Sequence, residues 1–207
     1  MAVVPVKGNP GAKTRLDALP GRAALADAFA LDTVAALVAA SAVKRVVVVT
    51  PDAELGARLT ALGAVIVPEI PAAGDPLNAA IVQGADAARR LLPAAHLAIV
   101  TGDLPALSAA DVDTALRLAA EHERSMMPDA DGTGTTMLLA RAGVSFTPRF
   151  GLGSRAAHEA AGHVPLEVAA TASIRRDVDT PKDLEVARAL GLGPHTAALL
   201  EAEALRA

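Results

Sequence analysis

The most constraining feature of this chain is a run of four valines, Val46 to Val49, with no polar residue among them. A strand that leaves one face in water alternates apolar and polar side chains, because successive side chains point to opposite faces. An unbroken β-branched run needs burial on both faces, as in a parallel sheet covered on each side by helices. Shorter runs of the same kind recur at Ala2 to Val6, Ala64 to Val67 and Leu97 to Thr101. Between them lie Ala- and Leu-rich segments of helical period, at Gly21 to Ala40, Asp52 to Leu62 and Pro76 to Leu92. This alternation predicts a doubly wound α/β fold with a mostly parallel sheet.

Beyond residue 107 the rhythm changes. Ser108, with Asp111 at capping-box spacing, predicts a helix running to about Glu123. Strands are expected at Ser125 to Pro128 and Thr135 to Ala140, around the turn-rich stretch Asp129 to Gly134. A short helix is expected at Ser154 to Ala161, then strands near Val164 to Val168 and Ile174 to Val178. Thr180-Pro181 marks a helix start with Thr at the N-cap and Pro at the first position. A last helix is expected from Ala197 to Ala207. No repeat or linker divides the 207 residues, so one domain is expected.

Composition removes several classes of function. A net charge of −4 and an aromatic set of three, Phe29, Phe146 and Phe150, disfavour a nucleic-acid partner. Such proteins carry a basic face, and single-strand binders need aromatic stacking platforms. No apolar run approaches the roughly 20 residues of a membrane-spanning helix. The absence of cysteine removes thiolate ligands and nucleophiles, and fits a reducing cytoplasm. The N-terminal Val3-Val4-Pro5-Val6 has neither the basic start nor the cleavage site of a secretory signal. The five histidines are scattered, with no pair at ligand spacing on one helix, and are expected to be structural or at the surface.

Ligands of open α/β sheets bind beyond the carboxyl ends of the strands, and three segments at such ends stand out. Lys7 to Arg15 follows the first strand. It fails the phosphate-binding P-loop spacing, since Ala12 stands where glycine is required. Its glycines and its cations Lys7, Lys13 and Arg15 still suit a triphosphate, with Gly8 offering a backbone N–H; the alternative is a solvated basic loop. Asp103, between Gly102 and Pro105 where the strand Leu97 to Val100 ends, is placed as a metal ligand or as a cap. Asp177 and Asp179 lie two apart on an extended segment, so their carboxylates point the same way and repel unless a cation intervenes. Mg²⁺, which takes carboxylates and substrate phosphates, suits them. The alternatives are ion pairs with Arg175 and Arg176, or helix capping by Asp179. Asn78 could read a base edge or ribose, or cap its helix. Gly132 to Thr136 and Gly151 to Ser154 offer glycines and hydroxyls in a pattern shared with ordinary turns.

At these motifs the chain resembles the guanylyltransferases of coenzyme F-420 biosynthesis, which activate phosphoenolpyruvate or 2-phospho-L-lactate with GTP. The resemblance rests on Val4-Pro5-Val6-Lys7, Ala12 to Leu16, Asp75 to Asn78, Gly102 to Leu107, Asp131 to Thr136, Pro148 to Gly151 with Ser154, and Asp177 to Leu184. It departs from the family at Leu152 and Gly153, where a more polar residue is expected. The resemblance implies a mixed, mostly parallel, three-layer nucleotidyltransferase fold of glycosyltransferase-A-like type. It implies Mg²⁺ held by Asp103, Asp177 and Asp179, and Thr136, Gly151 and Ser154 binding the phosphorylated acid. GTP and that acid are then the expected partners, and Lys7, Lys13 and Arg15 neutralise developing charge. The competing readings are a molybdenum-cofactor or sugar-phosphate nucleotidyltransferase, and a non-catalytic GTP-binding module on the same fold. The apolar C-terminal helix from Ala197 to Leu205 raises the possibility of a homo-oligomer.

Overall fold

A computed structural model describes residues 1–6 and 21–205. In chain order the elements are β1 (Ala2–Pro5), α1 (Arg22–Ala39), β2 (Val46–Thr50), α2 (Ala53–Ala61), β3 (Val65–Pro68), α3 (Pro76–Leu91) and β4 (Leu97–Val100). There follow α4 (Ala109–Ala119), β5 (Arg124–Pro128), β6 (Thr135–Ala140), α5 (Ser154–Ala160), β7 (Val164–Pro165), a 3₁₀ turn (Ser173–Arg175), α6 (Pro181–Leu190) and α7 (Pro194–Ala204). The strands form one seven-stranded sheet in the order β3-β2-β1-β4-β6-β5-β7. β3, β2, β1 and β4 are mutually parallel, while β6 runs antiparallel to both β4 and β5.

The buried β1 and β2 are sandwiched, as the unbroken valine run requires. Val4, Val46 and Val48 pack with residues of α1, α2 and α4 on one face. Val3 and Val47 pack with Ile81, Ala85 and Ala88 of α3 on the other. The approach of α3 is set by Gly84, where an added Cβ would overlap the side chains of Val3 and Val49.

Helix starts follow local chemistry. Asp52, Asp75, Ser108 and Thr180 each accept from a backbone N–H of the first turn. Thr180 and Asp183 close a full capping box. Ser108 and Asp111 do not, because the Asp111 carboxylate turns to Ser173, taking its N–H at 2.7 Å and its hydroxyl at 2.5 Å.

Two expectations are corrected in this half. Ile174 to Val178 is not a strand: Ser173–Arg175 is a 3₁₀ turn, and the residues after it run outside any ladder. The strand expected over Val164 to Val168 shortens to two residues on the sheet edge. The last helix begins at Pro194, and its Leu199 and Leu200 pack on Leu25 and Phe29 of α1. One side of this helix is thus packed within the chain, while Leu205 at its end is exposed. A carboxylate from the middle of α1 caps this helix, Asp32 accepting the N–H groups of His195 at 2.9 Å and Thr196 at 2.8 Å. No helix among the described residues is long and apolar enough to cross a membrane.

Candidate active site at the sheet switch point

β1 and β4 are neighbours in the sheet, yet the chain leaves them toward opposite sides, since β2 flanks β1 and β6 flanks β4. Open sheets bind ligands in the crevice beyond the carboxyl ends at such a point. The ladder between these strands stops at the Val3–Ile99 pair. Val6 donates to the carbonyl of Val49 in β2, so by strand alternation Pro5 turns its nitrogen toward β4, and a proline offers no N–H to continue the ladder. A cavity of about 200 Å³ lies there, lined by Pro5, Val6, Leu77, Gly102, Asp103 and Phe150 among others. Gly102 keeps it open against β1: a Cβ would come within 3.3 Å of Val6 Cγ2 and 3.4 Å of the Pro5 carbonyl oxygen.

Asp103 sits at the mouth of β4, and its backbone is pinned from several sides. Its carbonyl accepts the Val178 N–H at 3.0 Å. The next N–H, of Leu104, donates to the hydroxyl of Thr33 in α1 at 3.1 Å. The Val178 bond brings the segment carrying Asp177 and Asp179 beside Asp103. Burial first, then the negative charge of Asp103, Asp179 and Asp129, pushes the Asp177 carboxyl up to about 8.

Both alternatives for this acidic pair are answered by geometry. Arg175 spends its guanidinium on the carbonyl of Asp129 at 2.9 Å, and Arg176 donates to the carbonyl of Ala170 at 2.8 Å. Neither arginine forms an ion pair with Asp177. The helix cap belongs to Thr180 rather than Asp179. Asp129 was not singled out in the sequence; its oxygens accept from Thr133 and Gly134 and hold the turn. Its contribution to Asp177 is long-range charge.

Among the described residues no three acidic or imidazole groups are already drawn together as a ready-made metal centre. Asp103, Asp177 and Asp179 lie half-buried, close enough for the charge of Asp103 and Asp179 to raise the Asp177 carboxyl. That matches the needs of Mg²⁺, which keeps water and substrate phosphates in its shell and takes only one or two carboxylates. Asp103, Asp177 and Asp179 are the residues that could hold it. Lys7, Gly8, Lys13 and Arg15 lie outside the described residues.

The second half of the site comes from β6 and the segment before α5. Thr136 is tied into the scaffold: its hydroxyl donates to the Ile174 carbonyl at 2.6 Å, and its own carbonyl accepts from Thr101 at 3.0 Å. The proton of that hydroxyl is thereby committed. Gly151 has φ 130 and Gly153 φ 70, conformations that favour glycine. Leu152 between them is fully exposed.

Ser154 is the first residue of α5 and is buried, with Gly153 at the N-cap position. The first two N–H groups of α5 are engaged, that of Ser154 by the Gly151 carbonyl and that of Arg155 by the Thr133 carbonyl. The Ser154 hydroxyl itself has no hydrogen-bond partner among the described residues.

Asn78 differs most from expectation. It does not cap α3, a task done by Asp75, and its amide is bonded to the backbone of Phe150. His158, expected to be merely structural or at the surface, is buried against the same segment. Its Nε2 accepts from the Arg149 N–H at 3.0 Å, and its Nδ1 lies 3.0 Å from the Thr135 hydroxyl. Burial, with smaller contributions from His163 and Arg149, pushes it down to about 4, so it is neutral at pH 7.

A three-layer sheet with an acidic pocket at its switch point and a small-residue turn opposite defines a nucleotidyltransferase. Residues 22–164 match the MobA-like NTP transferase domain family. The chain is 49% identical over 199 residues to the phosphoenolpyruvate guanylyltransferase of Thermomonospora curvata, covering 95% of this chain and 86% of that one. It is 48% identical over 202 residues to the protein of the same name from Streptomyces coelicolor, with 95% and 93% covered. The chain belongs to the phosphoenolpyruvate guanylyltransferase family.

Solved structures agree on the fold. A protein described as a nucleotide-diphospho-sugar transferase from Desulfovibrio desulfuricans G20 superimposes with TM-score 0.69 at 19% identity, over 99% of this chain and 95% of that one. A 4-diphosphocytidyl-2C-methyl-D-erythritol synthase gives TM-score 0.56 at 14% identity, over 91% and 97%.

Proposed function

We propose that this chain transfers GMP from GTP to phosphoenolpyruvate. A phosphate oxygen of the acid attacks the α-phosphorus of GTP. The new P–O–P bond forms as the bond to the β-phosphate oxygen breaks, and its electron pair leaves with pyrophosphate. The observation that carries this reading is the half-buried Asp177 carboxyl, raised by the charge of Asp103 and Asp179 and with its neighbouring arginines turned away. A cluster of three carboxylates at the sheet switch point suits a metal-bound triphosphate.

Mg²⁺ held by Asp103, Asp177 and Asp179 would supply charge neutralisation of the phosphates. The attacking phosphate is ionised at neutral pH, so no general base is required. This accords with His158, whose ring nitrogens are both engaged. Lys7, Lys13 and Arg15, which follow β1 in the sequence, add positive charge to the triphosphate. Gly151 and Ser154 hold the acid, supported by the unpartnered hydroxyl of Ser154. Thr136 ties β6 to the Ile174 carbonyl and to Thr101 beyond the end of β4. The motif set supports a place in coenzyme F-420 biosynthesis, and the lack of cysteine supports a reducing cytoplasm.

The test incubates the protein with GTP, Mg²⁺ and each of phosphoenolpyruvate, 2-phospho-L-lactate and a sugar phosphate, and measures pyrophosphate. Release with phosphoenolpyruvate far above the others is expected. Release with the sugar phosphate alone, or GTP binding with no release, would overturn the assignment.

A further inference from the structure

The segment before α5 has no ladder or helix to satisfy its backbone, yet it carries the turn assigned to the acid. Two consecutive N–H groups, of Arg149 and Phe150, are each taken by a side chain from a different helix. Asn78 of α3 accepts the Phe150 N–H on Oδ1 at 2.9 Å and donates from Nδ2 to the Phe150 carbonyl at 3.0 Å. An amide side chain paired with both polar groups of one residue imitates a neighbouring strand. Asp75 steadies that amide from the other side, accepting from Nδ2 at 2.5 Å.

His158 of α5 accepts the Arg149 N–H on Nε2. A nitrogen that accepts carries no proton, so the proton is on Nδ1, where it is donated to the Thr135 hydroxyl. That hydroxyl can then donate toward the sulfur of Met126, 3.9 Å away. The Phe150 ring meets the imidazole edge-on with centroids 5.1 Å apart. His158 also lies four residues after Ser154, so both project from the same face of α5, and both are buried.

We infer that Asn78 and His158 are positioning residues that clamp the backbone of Arg149 and Phe150 from the two sides and thereby set the acid-binding turn at Gly151. The inference rests on the reading that this turn holds the phosphorylated acid. It gives both residues a role through the backbone and none in touching nucleotide.

The experiment pairs amide hydrogen exchange in the ligand-free protein with Michaelis constants for phosphoenolpyruvate and GTP. His158→Phe keeps the ring and removes both nitrogens. His158→Gln restores an acceptor at the Nε2 position. Asn78→Ala breaks the other arm without touching α5. Loss of exchange protection confined to residues 146–152 is expected for His158→Phe and Asn78→Ala. The Michaelis constant for the acid should rise about tenfold, the size expected for one hydrogen bond's worth of lost order, with that for GTP within about twofold and His158→Gln close to wild type. Unchanged protection in both variants would overturn the clamp, whatever the kinetics. Lost protection with both Michaelis constants unchanged, or raised equally, would overturn the positioning role and with it the assignment of the acid to this turn. If wild type turns over no phosphorylated acid, the functional reading fails, and exchange alone then decides the clamp.

Discussion

The backbone N–H of Val178 donates to the carbonyl of Asp103 at 3.0 Å, and this one bond joins two acidic segments separated by more than seventy positions in the chain. It brings the carboxylates of Asp177 and Asp179 beside that of Asp103, close enough for the charge of Asp103 and Asp179 to raise the Asp177 carboxyl. The proposed function depends on this junction, because a backbone bond sets where the acidic side chains meet.

Replacing Asp177 with Asn should cut turnover at least about a hundredfold, a loss of roughly 3 kcal/mol of transition-state stabilisation, without unfolding the protein. The folded carboxyl titrates near 8 against an ordinary value of 3.8. Ionisation therefore favours the unfolded chain, and the stabilising contribution is full below 3.8 and lost as pH rises through 8. In metal-free buffer the variant should gain on wild type in melting temperature between pH 6 and 8.5. A variant that instead loses ground at the higher pH would make Asp177 a structural ion-pair partner.

The same displacement governs the metal. Mg²⁺ must displace the Asp177 proton wherever pH lies below about 8, so its apparent affinity should rise by up to about tenfold per pH unit and flatten above that value. Calorimetric titration across pH 6 to 9 with a non-coordinating buffer measures it, together with proton release. A flat affinity would remove Asp177 from the ligand set.

Ser154→Ala should raise the Michaelis constant for phosphoenolpyruvate about tenfold or more, the worth of a hydrogen bond to a charged group. The constant for GTP and the melting temperature should hardly move, because the hydroxyl does not cap α5 and has no hydrogen bond among the described residues. A fall in melting temperature with unchanged kinetics would assign the residue to packing.

His158 supplies a pH dependence of opposite sign. Its folded value near 4 lies below the ordinary 6.5, so protonation favours unfolding. Its stabilising contribution is complete above 6.5 and is lost as pH falls toward 4. Urea midpoints for wild type should fall more steeply between pH 7 and 5 than those for His158→Gln, which has no proton to gain.

Gly84→Ala should cost about 1–3 kcal/mol, since the added methyl would overlap Val3 and Val49. Thermal unfolding should register the loss while both Michaelis constants stay near wild type.

Much of this molecule was legible one segment at a time. The valine run demanded a two-sided sheet, and Thr180-Pro181 announced a helix, because burial period and capping are interactions between residues a few positions apart. The motif order named the family for the same reason: each motif is a short stretch with its own spacing. Tertiary structure decided what depends on distant partners. Asp111 had the spacing of a capping box, but Ser173 offered it a better-placed donor pair. Residues 174–178 had strand composition, but the edge beside them holds only two residues of β7. Asn78 stood in a motif but its partner was not legible, and His158 carried no local signal, since what each bonds is backbone far from its own helix or on the loop before it. Even the pairing of Asp103 with Asp177 needed the fold, because no spacing along the chain specifies which strand end a returning loop will meet.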